Sequence, residues 1–116
     1  MKLYGIPNCD TVKKTRAWLT AQGVEYGFHD FKKAGVPEEQ LQAWLKAVPW
    51  DKLINRQGTM WRKLTDAERE AVVDVPSAAA LARAVPSVIK RPVVEWPGGA
   101  ITVGFDETVW SKNLKR

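Results

Sequence analysis

KLYGIPNCDTVKKTRAWLTAQGVEYGFHDF, residues 2–31, changes its hydrophobic period twice, and those changes decide the fold class. Lys2–Ile6 is a short aromatic and aliphatic run that Pro7 ends, which predicts a first strand. From Thr11 to about Gln22 the apolar Val12, Trp18 and Leu19 share one arc with Thr15, while Lys13, Lys14 and Ala17 lie away from it. That spacing predicts an amphipathic helix, with Gly23 as its stop. Val24–Phe31 then alternates Val24, Tyr26 and Phe28 against Glu25, Gly27 and His29, which predicts a half-buried strand. Strand, helix and strand make a βαβ unit with a right-handed crossover.

Working outward, the middle of the chain reads as helical. Val36-Pro37-Glu38-Glu39 puts proline at a helix start and acids in the first turn. Leu41, Trp44, Leu45 and Val48 supply the apolar face before Pro49, and Asp51–Asn55 can add one turn. Asn55–Leu64 has no clear period and reads as loop. Thr65-Asp66-Ala67-Glu68 is a capping box, opening a helix to about Val75. Pro76-Ser77 punctuates, and Ala78–Val85 is a short helix before Pro86. Val93–Trp96, a Pro97-Gly98-Gly99 turn and Ala100–Val103 predict a β-hairpin. Asp106 or Glu107 starts a last helix through Trp110 and Leu114. The fold class is therefore α/β and thioredoxin-like: a four-stranded mixed sheet (βαβ … ββα) in a single domain, 1–116, with a helical insertion over about 37–86. A ferredoxin-like sheet would need β-α-β-β-α-β order without a helical block.

Composition narrows the function classes. A chain of 116 residues is too short for two independent hydrophobic cores. No stretch approaches the roughly 20 apolar residues that span a bilayer, and MKLYGIPNCD lacks a signal-peptide core, so a cytoplasmic protein is expected. One cysteine excludes an intramolecular disulfide, and with one histidine it argues against a metal cluster. The net charge of +5 comes from dispersed basic residues without a nucleic-acid-binding signature, so it fits small anionic ligands better.

Cys9 lies in the predicted turn between first strand and first helix, Gly5-Ile6-Pro7-Asn8-Cys9-Asp10-Thr11. In open α/β sheets ligands bind beyond the carboxyl ends of parallel strands. A helix N-terminus there offers unpaired N–H groups, here those of Asp10 and Thr11, to a thiolate. Lys13 and Lys14 add positive charge one turn on, and Asp10 opposes it. Position alone leaves Cys9 either a nucleophile or an inert apolar residue. Lys90-Arg91-Pro92 precedes the hairpin. Its X–Pro bond can be cis, which would hold the Arg91 backbone near the thiol loop, where an extended peptide could pair with it. The Arg91 fork suits a carboxylate or oxyanion; a solvated arginine at a strand entry is the alternative. Arg56, in an irregular segment, is a third candidate, whereas Arg62 and Lys63 read as a solvated face. His29 reads as exposed, and Trp18, Trp44 and Trp96 as core or core margin.

The segments LYGIPNCDTVKK, LINRQGTMWRKL and IKRPVVEWPGG, in this order and spacing, resemble the arsenate reductase (ArsC/Spx) family, and within it the small YffB-type branch. The resemblance covers essentially the whole chain. It implies a nucleophilic cysteine at Cys9, with Arg56 (to within about one position), Arg91 and Pro92 at the substrate; Asn8, Asp10, Thr11 and Lys13, from the thiol turn and first helical turn, complete the candidate substrate-binding set. It further implies that glutathione, as co-substrate, resolves the adduct by a monothiol route; glutathione or another small thiol is the expected partner, glutaredoxin a candidate one, and a monomer is expected. Two departures weigh against arsenate itself. The family histidine before the cysteine is replaced by Gly5 or a neighbour, and the third arginine has no counterpart in Val103-Gly104-Phe105. An oxyanion site without one of its cations forfeits about 1.5–3 kcal/mol for each missing charge-assisted hydrogen bond. The Spx-type Cys-x-x-Cys switch is excluded because Val12 stands at its second position. The readings are, in order, a glutathione-dependent thiol reductase, an arsenate reductase, and a non-catalytic Spx-like regulator binding RNA polymerase.

Overall fold

The computed structural model describes residues 1–114. In chain order the elements are β1 (Lys2–Gly5), α1 (Asp10–Ala21), β2 (Gly27–Asp30), α2 (Phe31–Ala34), α3 (Glu38–Ala47) and α4 (Trp50–Leu53). Then come α5 (Thr59–Lys63), α6 (Asp66–Glu70), α7 (Val75–Ala84), a 3-10 turn at Pro86–Val88, β3 (Val93–Glu95), β4 (Ile101–Val103) and α8 (Glu107–Leu114). They gather into two compact units: Met1–Phe31 with the chain from Arg91 onward, and Lys32–Lys90.

The first unit is built on a four-stranded sheet of order β2-β1-β3-β4. β1 pairs parallel with β2 and antiparallel with β3, and β3 pairs antiparallel with β4. This is the mixed, thioredoxin-like sheet expected from the sequence. One face carries Leu3 and Val94, which pack with Leu19 of α1, Trp96, and Trp110 of α8 in a buried cluster. The aromatic rings meet edge to face, Trp96 and Trp110 at 5.1 Å and Phe105 and Trp110 at 5.0 Å, a geometry that ring quadrupoles favour. Gly5 lets α1 approach β1 closely, since a Cβ there would stand 3.0 Å from Val12 Cγ2. The hairpin turn ends on Gly99 at φ 93°, a conformation that a side chain would strain.

The second unit is helical. Leu41, Trp44 and Leu45 form the buried face of α3, and Ala78, Ala79 and Ala82 that of α7. Their small side chains suit a helix packed against neighbours at close range.

Four local expectations change. β2 spans only Gly27–Asp30, because Phe31 opens the helical turn α2. Asn55–Leu64 is not all loop: Gly58 caps α5 over Thr59–Lys63. The helix opened by Thr65 stops at Glu70, and a second capping box, Asp74 with Ser77, starts α7 at Val75. Pro76 therefore sits inside the first turn of α7, where its missing N–H costs nothing. Finally, His29 is half-buried rather than exposed. It pairs with Tyr4 across the sheet, and its ring lies 5.2 Å from that of Tyr4 and 5.9 Å from that of Phe31.

Candidate functional site

Cys9 is the N-cap of α1, in extended conformation (φ −84°, ψ 129°), and it is half-exposed. Pro7 and Asn8 are exposed, and the turn closes when Cys9 N–H donates to the Ile6 carbonyl at 3.2 Å. The first intrahelical bond runs from Lys13 N–H to the Cys9 carbonyl, 2.9 Å. The N–H groups of Asp10, Thr11 and Val12 thus precede the helical ladder, and the Cys9 side chain itself makes no cap hydrogen bond to them. A thiol at this position has donors and the positive end of the helix dipole within reach. Asp10, Thr11 and Lys13 are all exposed around it.

The sheet register brings the second candidate to the same end. Tyr4 pairs with Val93, so one step further along the antiparallel ladder Pro92 falls beside Gly5, at the strand end that leads into the Cys9 turn. The Arg91–Pro92 peptide is cis. Pro92 is buried and Arg91 half-buried. The Pro92 carbonyl accepts from Gly104 N–H at 2.9 Å, which ties the strand entry to the end of β4.

Arg56 belongs to the helical unit. An antiparallel bridge between Ile54 and Ile89 sets the segment that leads to it. Asn55 N–H donates to the Val88 carbonyl at 2.7 Å and Lys90 N–H to that of Leu53 at 2.8 Å. Asn55 then turns the chain, its carbonyl accepting from Gly58 N–H and its Oδ1 from Gln57 N–H. Arg56 stands exposed at the tip, its guanidinium 5.8 Å from the Trp50 ring centre.

Two further features lie in the sheet unit. Arg16 is half-buried. Its guanidinium carbon sits 4.3 Å from the Phe28 ring centre, and its Nε donates to Tyr26 Oη at 3.0 Å. Neither Arg16 nor Tyr26 stands among the residues singled out from the sequence, although the seven-residue spacing from Cys9 to Arg16 is readable there. A cleft of about 730 Å³, lined in part by Met1, Val24, Glu25, Pro97 and Leu114, opens at the opposite end of the sheet from Cys9. Among the described residues, no group of three or more His, Cys, Asp or Glu side chains is placed to hold a metal ion. No helix among them is long and apolar enough to cross a membrane.

A thioredoxin-like sheet with a cysteine at the N-cap of its first helix defines a class of thiol-bearing folds. Within it the chain belongs to the ArsC family, whose profile matches residues 4–113. A protein of Haemophilus influenzae is 35% identical over 105 residues, 90% of each chain. The solved structure of the YFFB (PA3664) protein superposes with a TM-score of 0.91 at 44% identity, covering 98% of both chains. An arsenate reductase (ArsC) related protein from Brucella melitensis is 47% identical, with a TM-score of 0.74, over 99% of this chain and 94% of that one.

Proposed function

We propose that this chain is a thiol-based reductase that works through Cys9 alone, with glutathione as the resolving thiol. The observation that carries the reading is the position of Cys9: half-exposed, at the N-cap of a 12-residue helix, where the positive end of the helix dipole faces the thiol. The Cys9 thiolate attacks the glutathione sulfur of a mixed disulfide. A Cys9–glutathione disulfide forms, and the substrate sulfur leaves as a thiolate that takes up a proton. A second glutathione thiolate then attacks the sulfur of the bound glutathione, releasing glutathione disulfide and the Cys9 thiolate. The net change is that the mixed disulfide and one free glutathione become the substrate thiol and glutathione disulfide, so the cycle needs no second cysteine.

In this reading Asn8, Asp10 and Thr11 shape the thiol turn, and the Asp10 and Thr11 N–H groups stabilise the thiolate. Lys13 adds positive charge one turn along. Pro92 and the Arg91 side chain receive the ligand, the arginine taking a carboxylate or oxyanion. Arg56 is proposed as a further anion-binding side chain on family resemblance. The reading places the protein in the cytoplasm, where glutathione keeps thiols reduced, as a monomer with no permanently bound cofactor. Glutaredoxin is the proposed protein partner. Arsenate at the same thiol is less favoured, because Val103-Gly104-Phe105 offers no side-chain cation.

The test is intact mass after incubating the reduced protein with glutathione disulfide. One glutathione should add to the wild type and none to Cys9→Ser, with Cys9→Ser keeping its circular dichroism spectrum. A wild-type protein that takes up no glutathione refutes the proposal.

A further inference from the structure

Seven residues separate Cys9 from Arg16, close to two helical turns, so both fall on one face of α1 with Arg16 about 10 Å further along the axis. Lys13, at a spacing of four, stands between them on that face and is exposed. Lys14 is directed elsewhere, its ammonium 5.8 Å from the Phe105 ring centre. One side of α1 therefore carries Cys9, Lys13 and Arg16 in line.

The guanidinium is held unusually firmly for a surface arginine. Its plane carbon lies over Phe28 at 4.3 Å and is 5.9 Å from the centre of the Tyr26 ring, while Nε is bonded to Tyr26 Oη at 3.0 Å. Phe28 and Tyr26 both pack against the buried Leu3–Trp110 cluster, so the platform is part of the core margin. An arginine stacked in this way has already given up much of the side-chain freedom that binding otherwise costs. Both of its Nη groups remain for a ligand, since among the described residues Arg16 makes no ion pair. Tyr26 Oη accepts from Arg16 and keeps its own proton to donate. Two Nη groups and one hydroxyl, all donors, match a carboxylate.

We propose that Arg16, fixed by Phe28 and Tyr26, is a carboxylate anchor that selects an anionic, peptide-length thiol or disulfide as the co-substrate of Cys9. The inference rests on the thiol reading above and adds the side chain that recognises the co-substrate. The two positions stand about 10 Å apart along the helix axis, further than the sulfur and carboxylate of a single cysteine, so a longer co-substrate is favoured. The spacing suits glutathione, whose carboxylates are at the ends of the tripeptide. Arg16 is a specificity residue here and takes no part in bond making or breaking.

Two experiments separate this proposal from the reading beneath it. In the first, adduct formation on Cys9 is followed by mass with three disulfides: glutathione disulfide (anionic), bis(2-hydroxyethyl) disulfide (neutral) and cystamine (cationic). Arg16→Gln should slow the reaction with glutathione disulfide about five- to tenfold and change the neutral reaction less than about twofold, with the cationic one unchanged or faster. Arg16→Lys should restore part of the anionic rate. An equal slowing with all three, or none with glutathione disulfide, overturns the proposal. In the second, Cys9→Ser protein is titrated with S-methylglutathione, which cannot exchange, and with its diamide, whose carboxylates are masked. The Arg16 Nε–H resonance should move saturably with the first and stay still with the second; equal or absent movement overturns the anchor. If Cys9 reacts with none of the disulfides the thiol reading falls, and the titration still judges Arg16.

Discussion

The sheet unit and the helical unit reach definite structures by opposite routes. In the first, residues far apart in sequence define one another: Lys2 pairs with Glu95, Tyr4 with Val93, and Leu3 shares its buried cluster with Trp110. In the second, much of the order is local. Helices of four and five residues open at Pro49, Gly58 and the Thr65 box, and the Asp74 box opens the ten-residue α7. Long-range ties there include the bidentate Arg83–Glu38 pair and the Ile54–Ile89 bridge. Helices this short do not persist alone in water. The difference teaches where each unit can place a reactive group. The sheet unit fixes Cys9 and Pro92 through strand register, whereas the helical unit fixes Arg56 through a turn.

The strongest challenge to that comparison is to empty one core position in each unit. Trp110 and Trp44 are both fully buried, one under the sheet and one on the inner face of α3. Alanine at either should cost about 3–5 kcal/mol, read as the shift in urea midpoint. Equal losses would mean that the helical unit depends on its core as much as the sheet unit does. A loss below about 1 kcal/mol for Trp44→Ala would mean instead that caps and turns hold it.

The same contrast governs how much is legible in the sequence. The period change over 2–31 reveals the βαβ unit, and the Gly-containing hairpin reveals β3 and β4, because alternation records which side of a sheet each residue faces. The buried side of α3 is legible for the same reason. Between residues 55 and 77 the period fails, since no helix there is long enough to repeat one. The Thr65 box is visible, but the Asp74 box is hidden because Pro76 reads as a breaker rather than as a first-turn residue. At the site, turn position and motif point to Cys9 and Arg91-Pro92. Arg16 escapes such a reading because its significance depends on Tyr26 and Phe28, which reach it only once β2 lies beside α1. His29 fails similarly: alternation assigns its side of the strand correctly but says nothing of the Tyr4 ring opposite.

A smaller effect probes the sheet register. Tyr4 Oη donates to Glu95 Oε1 at 2.7 Å, and Glu95 lies two residues along β3 from the partner of Tyr4. Burial, reinforced by the Glu95 carboxylate, holds the Tyr4 phenol above the usual tyrosine range. Tyr4→Phe should cost about 1–2 kcal/mol at neutral pH. The phenol binds its proton more tightly folded than unfolded. Its contribution is therefore complete below the unfolded value of about 10 and falls as pH rises above it. The stability gap between wild type and Tyr4→Phe should narrow above about pH 10 in urea titrations. A gap that stays constant would mean that this hydrogen bond does not form in solution.

The least effect tests the local ordering of the helical unit. Thr65 Oγ1 accepts from Glu68 N–H at 3.1 Å, and Glu68 Oε1 accepts from Thr65 N–H at 2.9 Å. Arg69 braces the same turn, donating to the Leu64 carbonyl and pairing with Asp66. Thr65→Ala removes one acceptor from a five-residue helix and should cost about 1 kcal/mol. Thr65→Ser, which keeps the hydroxyl, should recover most of it. Because α6 is too short to persist on propensity, the loss should appear as faster amide exchange at Glu68 and Arg69 before any change in the urea midpoint of the whole chain. Unchanged exchange at both amides would show that Arg69 alone defines the turn, and that the capping box only marks where the helix begins.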